Sequence, residues 1–140
     1  MIRFVLVPSD MAGKPIAGAL ARTFPNDTVI TQMMCQSLIT DYGGDEAEAV
    51  FTSFAGIIYG VKRKIEEEYA NEDVKCYILC GGSVIHAVLT LYACIEIGLD
   101  VELLVWERKR RRYVIYNLGG KRVDKEDLTV SEQETSIIFD

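Results

Sequence analysis

Two short polar segments of this chain carry residues able to grip an anion. Pro8-Ser9-Asp10-Met11-Ala12-Gly13-Lys14 follows one apolar run, and Gly81-Gly82-Ser83 follows another. Glycines let a backbone approach a ligand closely, while Ser9, Ser83 and Lys14 can donate to phosphate oxygens. A helix starting after Ser83 would add free N–H groups. Neither segment is a complete dinucleotide fingerprint or phosphate loop, because G-x-G-x-x-G and G-x-x-x-x-G-K-[ST] are both absent. The plainer reading of Gly-Gly-Ser is a tight turn with Ser as helix cap, and of Lys14 a solvated lysine. His86, the one histidine, falls in the first helical turn after Ser83. It reads either as a packed helix residue or as a proton carrier, and a helix N-terminus disfavours its charged form. Asp10 is the carboxylate best placed to act beside these segments.

The elements that would hold these segments alternate strand and helix. Arg3 to Val7 is a continuous apolar run, as in a parallel strand covered on both faces. A short helix is expected over Lys14 to Phe24, with Ile16, Ala17, Leu20 and Ala21 on one face, and a second strand over Thr28 to Met33. Asp45 to Tyr69 sets Val50, Phe51, Phe54, Ile57, Ile58, Val61 and Ile65 at three- and four-residue spacing behind an acidic start, which predicts a long amphipathic helix. Val74 to Cys80 is the third strand, Val84 to Ile97 a helix closed by Gly98, and Val101 to Trp106 and Tyr113 to Leu118 the last two strands. Glu107-Arg108-Lys109-Arg110-Arg111-Arg112 is too short for a crossover, so those two strands form an antiparallel hairpin with a basic tip. That tip is most simply solvated protection for an edge strand; the alternatives are a guard at a ligand mouth or a reach across a dimer. From Lys121 onward six acidic and three basic residues suggest a loosely attached tail at 121–140, with a short helix near Lys125 to Glu134.

Right-handed crossovers then give a three-layer α/β sheet in the order 2-1-3-4-5. In that order the loops after strands 1 and 3 flank the topological switch point, where open α/β sheets bind ligands. The helix Val84 to Ile97 is apolar nearly all round, so it should be buried against the sheet and again against a partner. A homodimer about this helix would bring both Gly81-Gly82-Ser83 turns near one two-fold axis. A ligand shared there would itself be pseudo-symmetric, a requirement that cyclic oligonucleotides meet.

Composition limits the alternatives. In 140 residues, 49% hydrophobic and 26% charged, one compact soluble domain is expected, with no disorder over most of its length. Met1 to Val7 runs straight into a strand pattern, so no signal peptide is expected, and no apolar run has the length of a membrane span. Cys35, Cys76, Cys80 and Cys94 form no C-x-x-C pair; they read as reduced thiols of a cytoplasmic protein, with neither metal nor cofactor expected. Cys76 and Cys80 share one strand face and read as core. A net charge of −6 argues against binding long nucleic acid and leaves room for a small anion held locally.

Through Val7-Pro8-Ser9-Asp10, the Gly81-Gly82-Ser83 turn, the apolar helix after it and the closing hairpin VELLVWERKRRRYVIYNL (101–118), the chain resembles the CRISPR-associated Rossmann-fold group over most of residues 1–120. Its small stand-alone members bind cyclic oligoadenylate second messengers. The resemblance implies a Rossmann-like domain at 1–120, homodimeric, that lowers a cyclic oligoadenylate signal in type III CRISPR antiviral defence by sequestration or slow cleavage. It implies that the Ser9–Asp10 loop and the Gly82–Ser83 turn hold the phosphates and riboses of the ligand; the neighbouring Pro8, Lys14, Gly81 and His86 complete the expected contacts. Ring cleavage, if it occurs, would fall to His86, Lys14 and Ser9 without a metal. Larger relatives often carry Lys or Arg just after the glycine turn, where Val84 stands here, so Lys14 would have to replace that grip. Two other classes remain open: a small α/β enzyme acting on a nucleotide or sugar phosphate through Asp10, and a protein-interaction module without a ligand.

Overall fold

A strand that is apolar on both faces needs cover on both faces, and β1 (Ile2–Val7) receives it. In the computed structural model, residues 1–9, 16–34 and 44–124 are described, the side chains of 44–47 excepted. The expected roles of Asp10, Lys14, Cys35 and the tail beyond residue 124, including its short helix, lie outside the described residues. β1 pairs in parallel with β2 (Thr28–Met33) on one side and β3 (Val74–Cys80) on the other. β3 then pairs in parallel with β4 (Glu102–Glu107), and β4 pairs antiparallel with β5 (Arg112–Tyr116). The five-stranded sheet has the order β2-β1-β3-β4-β5, as the alternation of elements predicts.

Period-two alternation divides the core into two layers. Phe4, Leu6, Cys76 and Ile78 face α2 (Gly44–Glu68) and α3 (Val84–Ile97), where they meet Phe54, Ile58, Ala93 and Cys94. Val5, Val7, Tyr77, Leu79 and Leu104 face α1 (Ile16–Thr23) and pack on Ala19, Leu20 and Phe24. The buried face of α1 is rotated from the expected one: Ala19 and Leu20 go inward, whereas Ala17 and Ala21 are exposed. Ile16, Ala19, Leu20 and Thr23 form the i, i+3, i+4, i+7 row that meets the sheet.

The C-terminal edge also differs from expectation. β5 stops at Tyr116 rather than Leu118, because Asn117 closes a tight turn: its N–H donates to the Lys121 carbonyl at 2.9 Å and its Oδ1 accepts from the Lys121 N–H at 2.9 Å. Gly120 takes φ +82°, a conformation glycine adopts without strain. The chain then doubles back, the Val123 N–H donating to the Ile115 carbonyl and Arg122 pairing with Glu107 and Asp124. Residues 121–124 therefore belong to the sheet edge, although the polar composition begins at Lys121. Thr23 ties α1 to β5: its Oγ1 donates to the Ala19 carbonyl at 2.8 Å and accepts from the Tyr113 N–H at 2.9 Å.

Arg3 anchors the opposite end of the sheet. Its Nε donates to Asp27 Oδ2 at 2.8 Å, a second guanidinium N–H donates to the Tyr77 hydroxyl, and the guanidinium lies 4.3 Å from the Phe24 ring centroid. The hydrogen bond from Arg3 holds the Asp27 carboxyl below its ordinary 3.8, outweighing the opposing effect of burial. A depressed carboxylate pKa contributes stability that is fully present above the unfolded-state value and is lost as pH falls through the folded-state value. Asp27→Asn should therefore destabilise the protein by about 1 kcal/mol at neutral pH. Urea titrations at stepped pH should show a smaller loss of stability below pH 4 than in the parent; an unchanged acid profile would remove this role for Asp27.

Candidate functional site

Because β1 has parallel neighbours on both sides, the chain leaves its C-terminal end toward one side and leaves that of β3 toward the other. The crevice between those ends is the switch point. Ser9, two residues past the end of β1, has 1% of its surface exposed, and its Oγ accepts the Ser83 N–H at 3.3 Å. The two polar segments are thereby joined by a direct hydrogen bond. Pro8 is buried, Gly81 is half-buried and Gly82 is exposed. Gly82 holds φ +69°, which a side chain would strain. Ser83 occupies the cap position of α3 in extended conformation, but its hydroxyl makes no capping hydrogen bond. The simple N-cap reading of Ser83 is thus not how this turn is built: its backbone N–H goes to Ser9 and its carbonyl accepts from Ala87.

His86 lies elsewhere. It is 0% exposed, enclosed between α3 and α2 with its ring centroid 6.0 Å from that of Phe54. Its carbonyl accepts the hydroxyl of Thr90, also fully buried, at 2.8 Å. Of the residues expected at the site, the structure brings Pro8, Ser9, Gly81, Gly82 and Ser83 together, and sets the His86 imidazole in the packing beneath. The buried thiols follow the core reading: desolvation pushes Cys76 up to about 11 and Cys94 up to about 12, so both are neutral. Cys80 is half-buried, and its thiol too is pushed up by burial. No cluster of three metal-ligating side chains occurs among the described residues, and no described helix is long and apolar enough to cross a membrane.

α3 is apolar on two faces, with two polar residues on its buried one. Its buried residues are His86, Thr90, Ala93 and Cys94, while Val84, Val88, Tyr92 and Ile95 are 77%, 53%, 52% and 59% exposed in the single chain. Spacings of four, four and three put these apolar residues in one outward stripe that begins at the Gly82-Ser83 turn. The expectation of a helix covered twice rested on apolar residues all round; here the second face is laid bare.

A feature that loop reasoning missed lies across the sheet from α3. A cleft of about 820 Å³ opens between α1 and the β4–β5 hairpin, with Cys80 and Gly81 at one end and Arg22, Trp106, Arg108 and Arg111 among its walls. The signal available in sequence was the basic hairpin run directly after Trp106. Nothing in sequence marked Arg22 as its neighbour across the gap.

The sheet order, the crossovers and the crevice between the ends of β1 and β3 define a Rossmann-like α/β fold. No family model matches the chain, and no curated protein and no solved structure matches it either.

Two variants measure the joined loops. Ser9→Ala should cost about 1 kcal/mol in urea denaturation, since it leaves the Ser83 N–H without its acceptor. Gly82→Val should cost roughly 1–2 kcal/mol through its positive φ. Parent-like midpoints for both would mean that the turn relaxes freely and holds nothing in place.

Proposed function

We propose that this chain binds a cyclic oligoadenylate across a homodimer axis and lowers the free concentration of that signal in type III CRISPR antiviral defence. The observation that carries this reading is the joining of the two switch-point loops at the head of a helix whose outward stripe is apolar. Burying that stripe against its symmetry mate removes four large apolar side chains from water. It also sets two copies of the Ser9–Ser83 contact near one axis, where a ligand of matching symmetry meets both. The unused Ser83 hydroxyl and the exposed Gly82 backbone supply donors and close approach for phosphates.

Sequestration is favoured over rapid cleavage. Breaking the ring requires a ribose 2′-OH aligned on its phosphate and a proton carrier within reach of the leaving oxygen. His86 is the natural carrier by residue type, and its enclosure against Phe54 supports a packing role instead. Lys14 and Ser9 are left as the other groups able to assist.

Val88→Asp places a charge in the outward stripe without disturbing the core of the single chain. Light scattering should give twice the chain mass for the parent and the single-chain mass for this variant; a parent that is monomeric at micromolar concentration removes the shared site. Thermal-shift measurements with cyclic oligoadenylates of several ring sizes should find one that stabilises the parent by about 2.7 kcal/mol at 100 times its dissociation constant. No shift with any ring size would sink the proposal. Incubation of excess protein with the stabilising ring should leave it intact; linear products ending in a 2′,3′-cyclic phosphate, lost in His86→Ala with binding retained, would reassign the protein as a ring nuclease.

A further inference from the structure

The cleft between α1 and the hairpin has a composition at odds with the rest of the molecule. In a chain of net charge −6, it is walled by Arg22, Arg108, Arg110 and Arg111, and no carboxylate lines it among the described residues. Arg110 is engaged by Glu107 at 3.5 Å. The aromatic wall is Trp106, 41% exposed, set edge-on to Tyr113 with ring centroids 5.2 Å apart. Its volume, about 820 Å³, lies within the roughly 300–1,000 Å³ typical of small-molecule sites.

The basic wall is held in position. Arg22 Nε donates to the Arg111 carbonyl at 2.9 Å, and Arg111 adopts φ +51°, a left-handed conformation rare for a residue with a side chain. The residue after Arg22, Thr23, accepts the Tyr113 N–H, so the hairpin is tied to the C-terminal end of α1 by two neighbouring hydrogen bonds. A guanidinium wall facing an exposed indole suits one chemistry above others: a flat base that stacks, joined to phosphates that accept charged hydrogen bonds.

We propose that this cleft is a second ligand site, for a nucleoside phosphate whose base lies on Trp106 and whose phosphates meet Arg108 and Arg111. The site uses the α1 side of the sheet, whereas the outward stripe of α3 lies on the other side, so it does not rest on the dimer or on the cyclic ligand. Gly81 is the point where the two regions adjoin.

Trp106 is the sole tryptophan of the chain, so its fluorescence reports this cleft directly. ADP should quench it saturably, with free N-acetyltryptophanamide as the control for absorption and collision. Inorganic pyrophosphate should displace ADP while binding more weakly itself, and adenosine should bind more weakly still. Arg111→Gly suits the left-handed backbone and deletes the cation; it should raise the ADP dissociation constant about tenfold. Arg108→Ser should do the same, with the melting temperature of each variant unchanged. No saturable quenching overturns the proposal, as does quenching that both arginine variants retain. Pyrophosphate binding as tight as ADP overturns it too, because the base would then contribute nothing. A thermal shift by cyclic oligoadenylate that survives both substitutions while ADP binding is lost would establish two separate sites.

Discussion

The rest of the structure depends on the parallel pairing of β1 to neighbours on both sides. A strand held in this way has no free edge and no solvated face, so every side chain from Phe4 to Val7 is buried. It also forces consecutive crossovers to depart in opposite directions, which leaves a crevice at the strand ends. The crevice is a consequence of connectivity and handedness before any side chain is chosen for it. Side chains then give it character. Ser9, just past the buried strand, turns its hydroxyl to the neighbouring turn, and the Ser83 N–H, which the helix itself cannot use, finds its acceptor there.

The sheet order and the strand and helix positions were legible because the signals were long and periodic. α3 and β3 occupy the residues that their patterns predict, and Gly98 closes α3 as expected. Misreadings fell where a few local contacts decide the outcome. The length of β5 was set by an Asn117–Lys121 turn whose hydrogen bonds no periodicity reveals. The face of α1 was misassigned because small alanines on both sides of a short helix give little contrast in hydrophobicity. At the site, the loops were legible as a pair because topology alone brings them together. The enclosure of His86 was not, since helical spacing does not tell which of two helix neighbours a ring will meet. Arg22 escaped notice because its relation to the hairpin spans 89 positions in sequence.

α3 concentrates a tension between packing and association. Placing His86 and Thr90 inward requires their polar atoms to be satisfied in the core, and Thr90 achieves this by bonding back to the preceding turn. Placing Val84, Val88, Tyr92 and Ile95 outward forgoes the burial those side chains would otherwise provide. On the proposed homodimer, the outward row would be covered by its symmetry mate, and the low hydrophobic contrast around the helix would then match two apolar surfaces.

The return of residues 122–124 along β5 gives the sheet two unlike margins. On the β5 side, the Ile115 carbonyl is taken by Val123, the Tyr113 N–H by Thr23, and Tyr116 bridges Arg122. An incoming strand would find those ladder positions occupied. On the β2 side, no described strand pairs with the outer ladder. Among the described residues, the two margins therefore meet foreign backbone differently: the hairpin side offers occupied ladder positions, whereas the outer side of Thr28 to Met33 offers its own unshared ladder.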